Sequence, residues 1–76
     1  MNYTIVSLRE YGADFTMSLD KSGNKYVVSI HGSTSFEYKS RTFDKMEDAQ
    51  EKFTTIAGWC CGGLYSFSDR LAYLMK

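Results

Sequence analysis

The residues best suited to reactive chemistry are two adjacent cysteines, Cys60 and Cys61, in the stretch GWCCGGLY. A structural zinc site needs four ligands on spaced positions. A dithiol redox site of the thioredoxin kind needs two residues between its cysteines. Neither spacing is present, and the only histidine, His31, is far away in sequence. We therefore predict no metal and no cofactor, and we expect these cysteines to pack in a link between two helices.

His31 is the other residue that could act in catalysis, as a general base. A base needs an orienting partner and a nearby nucleophile or water. Ser29 and Glu37 could share its strand face, but such residues occur on any solvated strand face. The pair Gly62-Gly63 lacks the spacing of a phosphate-binding loop. We predict that the chain is not an enzyme; a small thiol- or metal-dependent enzyme is an alternative that would require Cys60 and Cys61.

The size of the chain favours a single domain, 1–76, that associates with something else. With 76 residues, a domain buries only about 60% of the surface that its unfolded chain exposes. A core this small gains from a shared interface, so we expect a complex with another protein, and a homo-oligomer is a further option.

The charge balance limits the partners. Nine basic and nine acidic residues give a net charge of zero, which disfavours a protein that binds mainly by neutralising phosphates. No apolar run is long enough to span a membrane, and MNYTIVSLREYG does not have the pattern of a signal peptide. We therefore expect a cytoplasmic protein, in the cytoplasm of the host cell if a phage encodes it, with no membrane partner.

The first half of the chain alternates apolar and polar residues, as half-buried strands do. We predict strands at about 2–8, 14–20, 25–32 and 35–43. The segment Lys21–Asn24 contains the glycine and asparagine typical of a tight hairpin turn. The residues predicted to face the core are Tyr3, Ile5, Phe15, Met17, Leu19, Tyr26, Val28, Ile30, Phe36 and Tyr38.

The second half changes to a helical period, and we predict helices at about 45–57 and 67–75. Asp44 with Glu47 resembles a capping box, in which the Asp44 carboxylate would accept a free amide of the first turn. Two apolar stripes follow at helical spacing. Their members are Met46, Ala49, Phe53 and Ile56 in the first helix and Leu64, Phe67, Leu71 and Leu74 in the second.

These elements predict an α+β fold: a four-stranded antiparallel sheet with two antiparallel helices packed on one face. Both helices follow the strands and each has one apolar stripe, so both should cover the apolar face. The other face should stay open to solvent or to a partner. The residues predicted for this open face include Thr16, Ser18, Asp20, Ser29, His31, Glu37, Lys39 and Arg41.

Several of these features together resemble small phage anti-CRISPR proteins, in particular a type I-F inhibitor family of similar length. The similar parts are FTMSLDKSGNKYVVSI with its Gly23-x-Lys25 hairpin, the Arg41-x-Phe43-Asp44 approach to a helix, and a glycine-rich link to a second helix. The resemblance covers most of the chain and lies in turn, cap and core residues.

The resemblance implies a non-enzymatic protein that docks on a CRISPR surveillance complex and blocks pairing of guide RNA with target DNA. In that family, exposed aromatic and acidic residues on the sheet make the contacts. This chain departs from the pattern there, because the corresponding positions hold Val6, Asp20 and His31.

The predicted partner is therefore a protein or ribonucleoprotein complex of the host, such as a CRISPR effector or another defence complex. Direct binding of nucleic acid ranks second, as a small nucleic-acid-binding or host-takeover regulatory module that would use Lys25, Lys39 and Arg41. Tyrosine is enriched in interfaces because it offers a large contact area, and Tyr11 is the candidate aromatic anchor. The predicted contact residues are Tyr11, Asp20, His31, Glu37, Lys39 and Arg41.

Overall fold

The chain folds into a four-stranded antiparallel sheet with two helices packed on it, which confirms the predicted α+β class. The computed structural model describes residues 2–10, 15–32, 38–58 and 67–76. The elements are β1 (Asn2–Glu10), β2 (Phe15–Ser22), β3 (Lys25–Gly32), β4 (Tyr38–Phe43), α1 (Met46–Ala57) and α2 (Phe67–Leu74).

The strands follow one another in the sheet in the order β1-β2-β3-β4. The turn between β2 and β3 consists of Gly23 and Asn24, with Ser22 paired to Lys25 on either side. Gly23 has φ 61°, a left-handed conformation that glycine adopts without steric cost. The predicted hairpin is confirmed, and its register fixes which residues of β2 and β3 share a face.

The core lies between one face of the sheet and the two helices. α1 packs against β2, β3 and β4, and α2 packs against β3, β4 and α1. In the sheet, Met17 pairs with Ile30 and Leu19 pairs with Val28, so these four side chains share the helix-covered face. The buried apolar residues are Met17, Leu19, Val28, Ile30, Ala49, Phe53, Ile56, Leu71 and Leu74.

A bulge in β1 changes the predicted face of its later residues. The register shifts between Thr4, which pairs with Asp20, and Val6, which pairs with Leu19. The extra residue, Ile5, packs against the core. Because cross-strand partners share a face, Val6 lies on the helix-covered face. Leu8, which pairs with Met17, lies on the same face. The prediction that Val6 faces away from the core is therefore wrong.

The two faces of β4 are the reverse of the prediction. Arg41 pairs with the buried Val28, and Lys39 pairs with the buried Ile30, so both lie on the helix-covered side. Tyr38 pairs with His31 and is 59% exposed on the other side. The assignment of Lys39 and Arg41 to the open face, and of Tyr38 to the core, is wrong. Pairing with the strongly apolar β3 decides the orientation, because a shift by one residue would bury the opposite set.

The first turn of α1 also differs from the prediction. Its N-cap is Lys45, which makes no side-chain capping hydrogen bond. Asp44 instead forms an ion pair with Lys25. The Lys25 ammonium, through its hydrogen bond and then its charge, lowers the pKa of the Asp44 carboxyl below 3.8. The predicted capping box does not form, because a residue remote in sequence takes the carboxylate.

Cations from other elements hold the last turn of α2, which has no basic residue of its own. Arg41 Nη1 donates to the main-chain oxygens of Leu74, at 3.4 Å, and Lys76, at 2.6 Å. Lys52 Nζ donates to the Tyr73 oxygen at 3.3 Å and lies 4.1 Å from the centre of the Tyr73 ring. Carbonyls at a helix C-terminus lack partners within the helix and attract positive charge. Arg41 and Lys52 thus fasten α2 to β4 and α1.

Candidate binding surface

The face of the sheet opposite the helices carries a regular array of polar side chains, which we call the open face. Cross-strand pairing arranges it in three rows that run across the strands. A row of four serines lies between two rows of mixed composition. The rows are Thr4-Asp20-Val27-Thr42, Ser7-Ser18-Ser29-Ser40 and Arg9-Thr16-His31-Tyr38.

Hydrogen bonds fix the centre of the serine row. The hydroxyl oxygens of Ser18 and Ser29 lie 3.1 Å apart, and Ser18 Oγ donates to Asp20 Oδ2 at 3.2 Å. Ser29 is only 7% exposed, although neither α1 nor α2 packs on this face. A buried hydroxyl is tolerated when it has a hydrogen-bond partner. The side chains at the middle of the open face are therefore short, and hydrogen bonds hold the central ones in place.

An aromatic pair, His31 and Tyr38, lies in the row next to the serine row. His31 and Tyr38 face each other across β3 and β4, with ring centres 6.4 Å apart and planes inclined by 57°. Both side chains are exposed. Tyrosine combines a large apolar ring with a hydroxyl and loses little entropy when it is fixed. This pair is the strongest candidate for an anchor on the open face.

The described side chains on this side of the sheet carry few charges. By strand alternation, Lys25 is positive and Asp20 is negative. Asp44 adds a negative charge at the rim, where it pairs with Lys25. Lys39 and Arg41 lie on the other side of the sheet. The described part of the open face therefore has no basic surplus of the kind that phosphate backbones attract.

The predicted contact residues are divided between the two faces. Asp20 and His31 lie on the open face, within the outer rows. Lys39 is exposed on the helix-covered side, and Arg41 is held by the last turn of α2. The predictions for Tyr11 and Glu37 lie outside the described residues. Those for Cys60 and Cys61 lie outside them as well.

The prediction missed several members of the open face, among them Ser7, Tyr38, Ser40 and Thr42. The serines of the central row occupy positions 7, 18, 29 and 40, a constant spacing of 11 residues. In an up-and-down sheet such a recurrence is a signal for residues that lie side by side. In β4 the useful residue was Phe43, which packs against the core. Arg41 is two residues before Phe43 and so lies on the same face, whereas Tyr38 is five residues before it and so lies on the open face.

Comparison with protein-family models, with curated proteins and with solved structures finds no match to this chain. Within the described ranges, no three His, Cys, Asp or Glu residues come together as a metal site. None of the described helices has the length and apolar character needed to cross a membrane.

Proposed function

We propose that this chain is a small binding inhibitor that acts without catalysis. Its open face would dock on a protein subunit of a host CRISPR surveillance complex and block binding of the target nucleic acid. One observation carries the binding surface. Both helices pack on the same side of the sheet, so neither covers the other four-stranded face, which has a hydrogen-bonded serine row beside the exposed rings of His31 and Tyr38.

The choice of a CRISPR complex rests on the resemblance to phage anti-CRISPR proteins. The residues that carry it include Gly23 and Lys25 at the hairpin and Phe43 and Asp44 at the approach to α1. Gly23 and Phe43 shape the fold, and Lys25 and Asp44 form an exposed ion pair at the rim of the open face; none of the four belongs to the serine row or to the aromatic pair. The class of target and the surface that binds it are therefore separate parts of the proposal, and the experiment tests them separately.

A protein surface suits the open face better than a nucleic acid does. A mixture of hydroxyls, one aromatic pair and few charges provides hydrogen bonds without a strong electrostatic field. A typical interface combines a few aromatic anchors with a polar rim. Of the three cations that a nucleic-acid module would use, Lys39 and Arg41 lie on the helix-covered side, and Lys25 is paired with Asp44.

The decisive experiment measures binding of the purified chain to an immobilised type I-F surveillance complex. Wild-type protein should bind and should reduce binding of target DNA. Tyr38→Ala should weaken binding at least about tenfold, because it removes the exposed anchor. Lys39→Ala is the matched control, since it changes the next residue on the same strand but on the other face. It should bind within about threefold of wild type, which is less than 1 kcal/mol.

The outcomes separate the two parts of the proposal. Failure of the wild-type protein to bind would remove the CRISPR complex as the partner. Equal binding by wild type and Tyr38→Ala, or a larger loss in Lys39→Ala, would remove the open face. Capture of single-stranded RNA with a steep loss of affinity in salt, without capture of the complex, would replace the proposal with a nucleic-acid module.

A further inference from the structure

The two edges of the sheet differ in how they are protected. At one edge, β4 carries Lys39 and Arg41 and contacts both helices. At the other edge, β1 has nine residues, and residues 2–8 contain no charge and no proline. Natural sheets usually protect an edge strand with charges, proline or a covering element. β1 has two such devices, the bulge at Ile5 and the charged residues Arg9 and Glu10 at its end, so residues 6–8 between them have neither.

A mainly apolar groove lies beside residues 5 and 6 of this edge. It has a volume of about 270 Å³, and the described residues that line it carry no charge. Val6 from β1 and Met46 from α1 line it while remaining 40% and 39% exposed, and the buried Phe53 forms part of its wall. Tyr3, also on β1, is another exposed large side chain. Met46 was predicted to belong to the buried stripe of α1, but here it borders the open groove instead.

We propose that β1 pairs with β1 of a second copy of this chain, antiparallel about a two-fold axis at Ser7. In this register Ser7 faces the partner's Ser7, and Val6 faces the partner's Leu8. Small side chains then meet on the open face, while apolar side chains meet over the grooves on the helix side. If Ile5 is skipped as the bulged residue, Arg9 falls opposite the partner's Thr4, and both positions belong to the open face.

The chemistry of the edge favours a second copy over an unrelated strand. A strand added here must be uncharged where it passes the groove and must alternate small polar with apolar residues. The segment Val6-Ser7-Leu8 meets both requirements. It is also self-complementary about Ser7, because an apolar residue on each side faces an apolar residue of the second copy, as an isologous contact requires. Antiparallel pairing would join two sheets of four strands into one sheet of eight. Both open faces would then lie on the same side of that sheet, with the serine row continuing from one copy into the other.

The small size of the contact is typical of weak, reversible associations. At about 3.4 Å per residue, the paired part of β1 is long enough to bury on the order of 1,000 Å² in total, near the lower limit of specific interfaces. We therefore expect a reversible dimer with a dissociation constant in the micromolar range. This contact does not use the anchor on the open face, so it can succeed or fail independently of the proposed function.

Sedimentation equilibrium over a wide concentration range tests the dimer. Wild type should move from monomer to dimer as concentration rises. Val6→Lys should weaken the dimer at least about tenfold, because it introduces a charge beside the uncharged groove. Thr42→Lys, which places the same charge on the β4 edge, should dimerise like wild type. A wild-type chain that stays monomeric at every concentration would overturn the proposal, as would a Val6→Lys chain that dimerises equally well.

A crosslinking experiment tests the register and does not depend on the fold of Val6→Lys. In a background with Cys60→Ser and Cys61→Ser, Ser7→Cys should form a covalent dimer on mild oxidation. Opposed residues of an antiparallel pair lie about 4.5–5.5 Å apart between Cα atoms, within the range of a disulfide. Ser40→Cys, at the other end of the same serine row, should stay monomeric. Equal crosslinking of the two variants, or none in Ser7→Cys, would overturn the register.

Discussion

The two faces of this sheet are built from different chemistry. The helix-covered face is apolar at its centre and places Arg41 at its margin, where the guanidinium meets the last carbonyls of α2. The open face has serine hydroxyls at its centre, where Ser18 and Ser29 are hydrogen-bonded. The aromatic rings of His31 and Tyr38 lie at its margin. Burial of apolar surface provides most of the stability of a small domain, so the first face should determine whether the chain folds. The second face is under less constraint from folding.

The difference also separates two kinds of polar residue. Arg41 is a long cation whose charge is used inside the molecule, to complete the end of a helix. Tyr38, three positions earlier on the same strand, has no comparable structural role in the core and is exposed. A charged residue in an alternating strand is therefore not necessarily a contact residue. The residue that it pairs with on the neighbouring strand shows on which face of the sheet it lies.

The largest effect should come from removing a core side chain next to an open-face residue. Ile30 is fully buried, so Ile30→Ala should lower the free energy of unfolding by about 3 kcal/mol, a large part of the stability of so small a domain. His31→Ala, the next residue on the open face, should change it by less than about 0.5 kcal/mol. Urea denaturation of both variants measures the comparison. Similar losses in the two would mean that both faces support the fold equally.

The next largest effect should come from removing the charge of Arg41, at the margin of the helix-covered face. Arg41→Met keeps much of the side-chain length but removes the donors to Leu74 and Lys76, and we expect a loss of about 1–2 kcal/mol. Hydrogen exchange should rise mainly in the last turn of α2. Lys39→Met, on the same face of β4, is the control and should leave exchange in α2 unchanged. If both variants behave alike, Arg41 is a surface cation and not a structural tie.

The sequence predicted the faces of β2 and β3 because strong apolar residues alternate there without interruption. Asp20 and His31 were placed on the open face for the same reason. The alternation of β4 is weak, so pairing with β3 decided its orientation and moved Lys39 and Arg41 to the other side. The bulge in β1 is visible as a change of phase, because the apolar residues stand at Tyr3 and Ile5 and then at Val6 and Leu8; the prediction assumed one phase for the whole strand and therefore missed it. The ion pair of Asp44 depends on Lys25, which becomes its neighbour only when the sheet forms.

A smaller effect should come from the hydroxyl pair at the centre of the open face. A double-mutant cycle of Ser18→Ala and Ser29→Ala should give a coupling energy of about 0.5 kcal/mol, within the range for hydroxyl pairs across strands. Ser7→Ala, at the end of the same row, should have less effect on stability because Ser7 is exposed. A coupling energy of zero would mean that the two hydroxyls bond to water independently and that the centre of the open face is less rigid than its geometry suggests.

The smallest effect concerns the exposed ion pair at the rim of the open face. Lys25 lowers the pKa of Asp44 in the folded chain below 3.8, its ordinary value. The contribution of the pair to stability is therefore present above pH 3.8 and is lost as the pH falls through the folded pKa. It should be slight, because exposed pairs are screened by water and salt. An NMR titration of the Asp44 carboxyl should give a pKa that rises toward 3.8 in Lys25→Met. An unchanged pKa in that variant would show that Lys25 is not the cause, and that the amides at the start of α1 hold the carboxylate as the sequence first predicted.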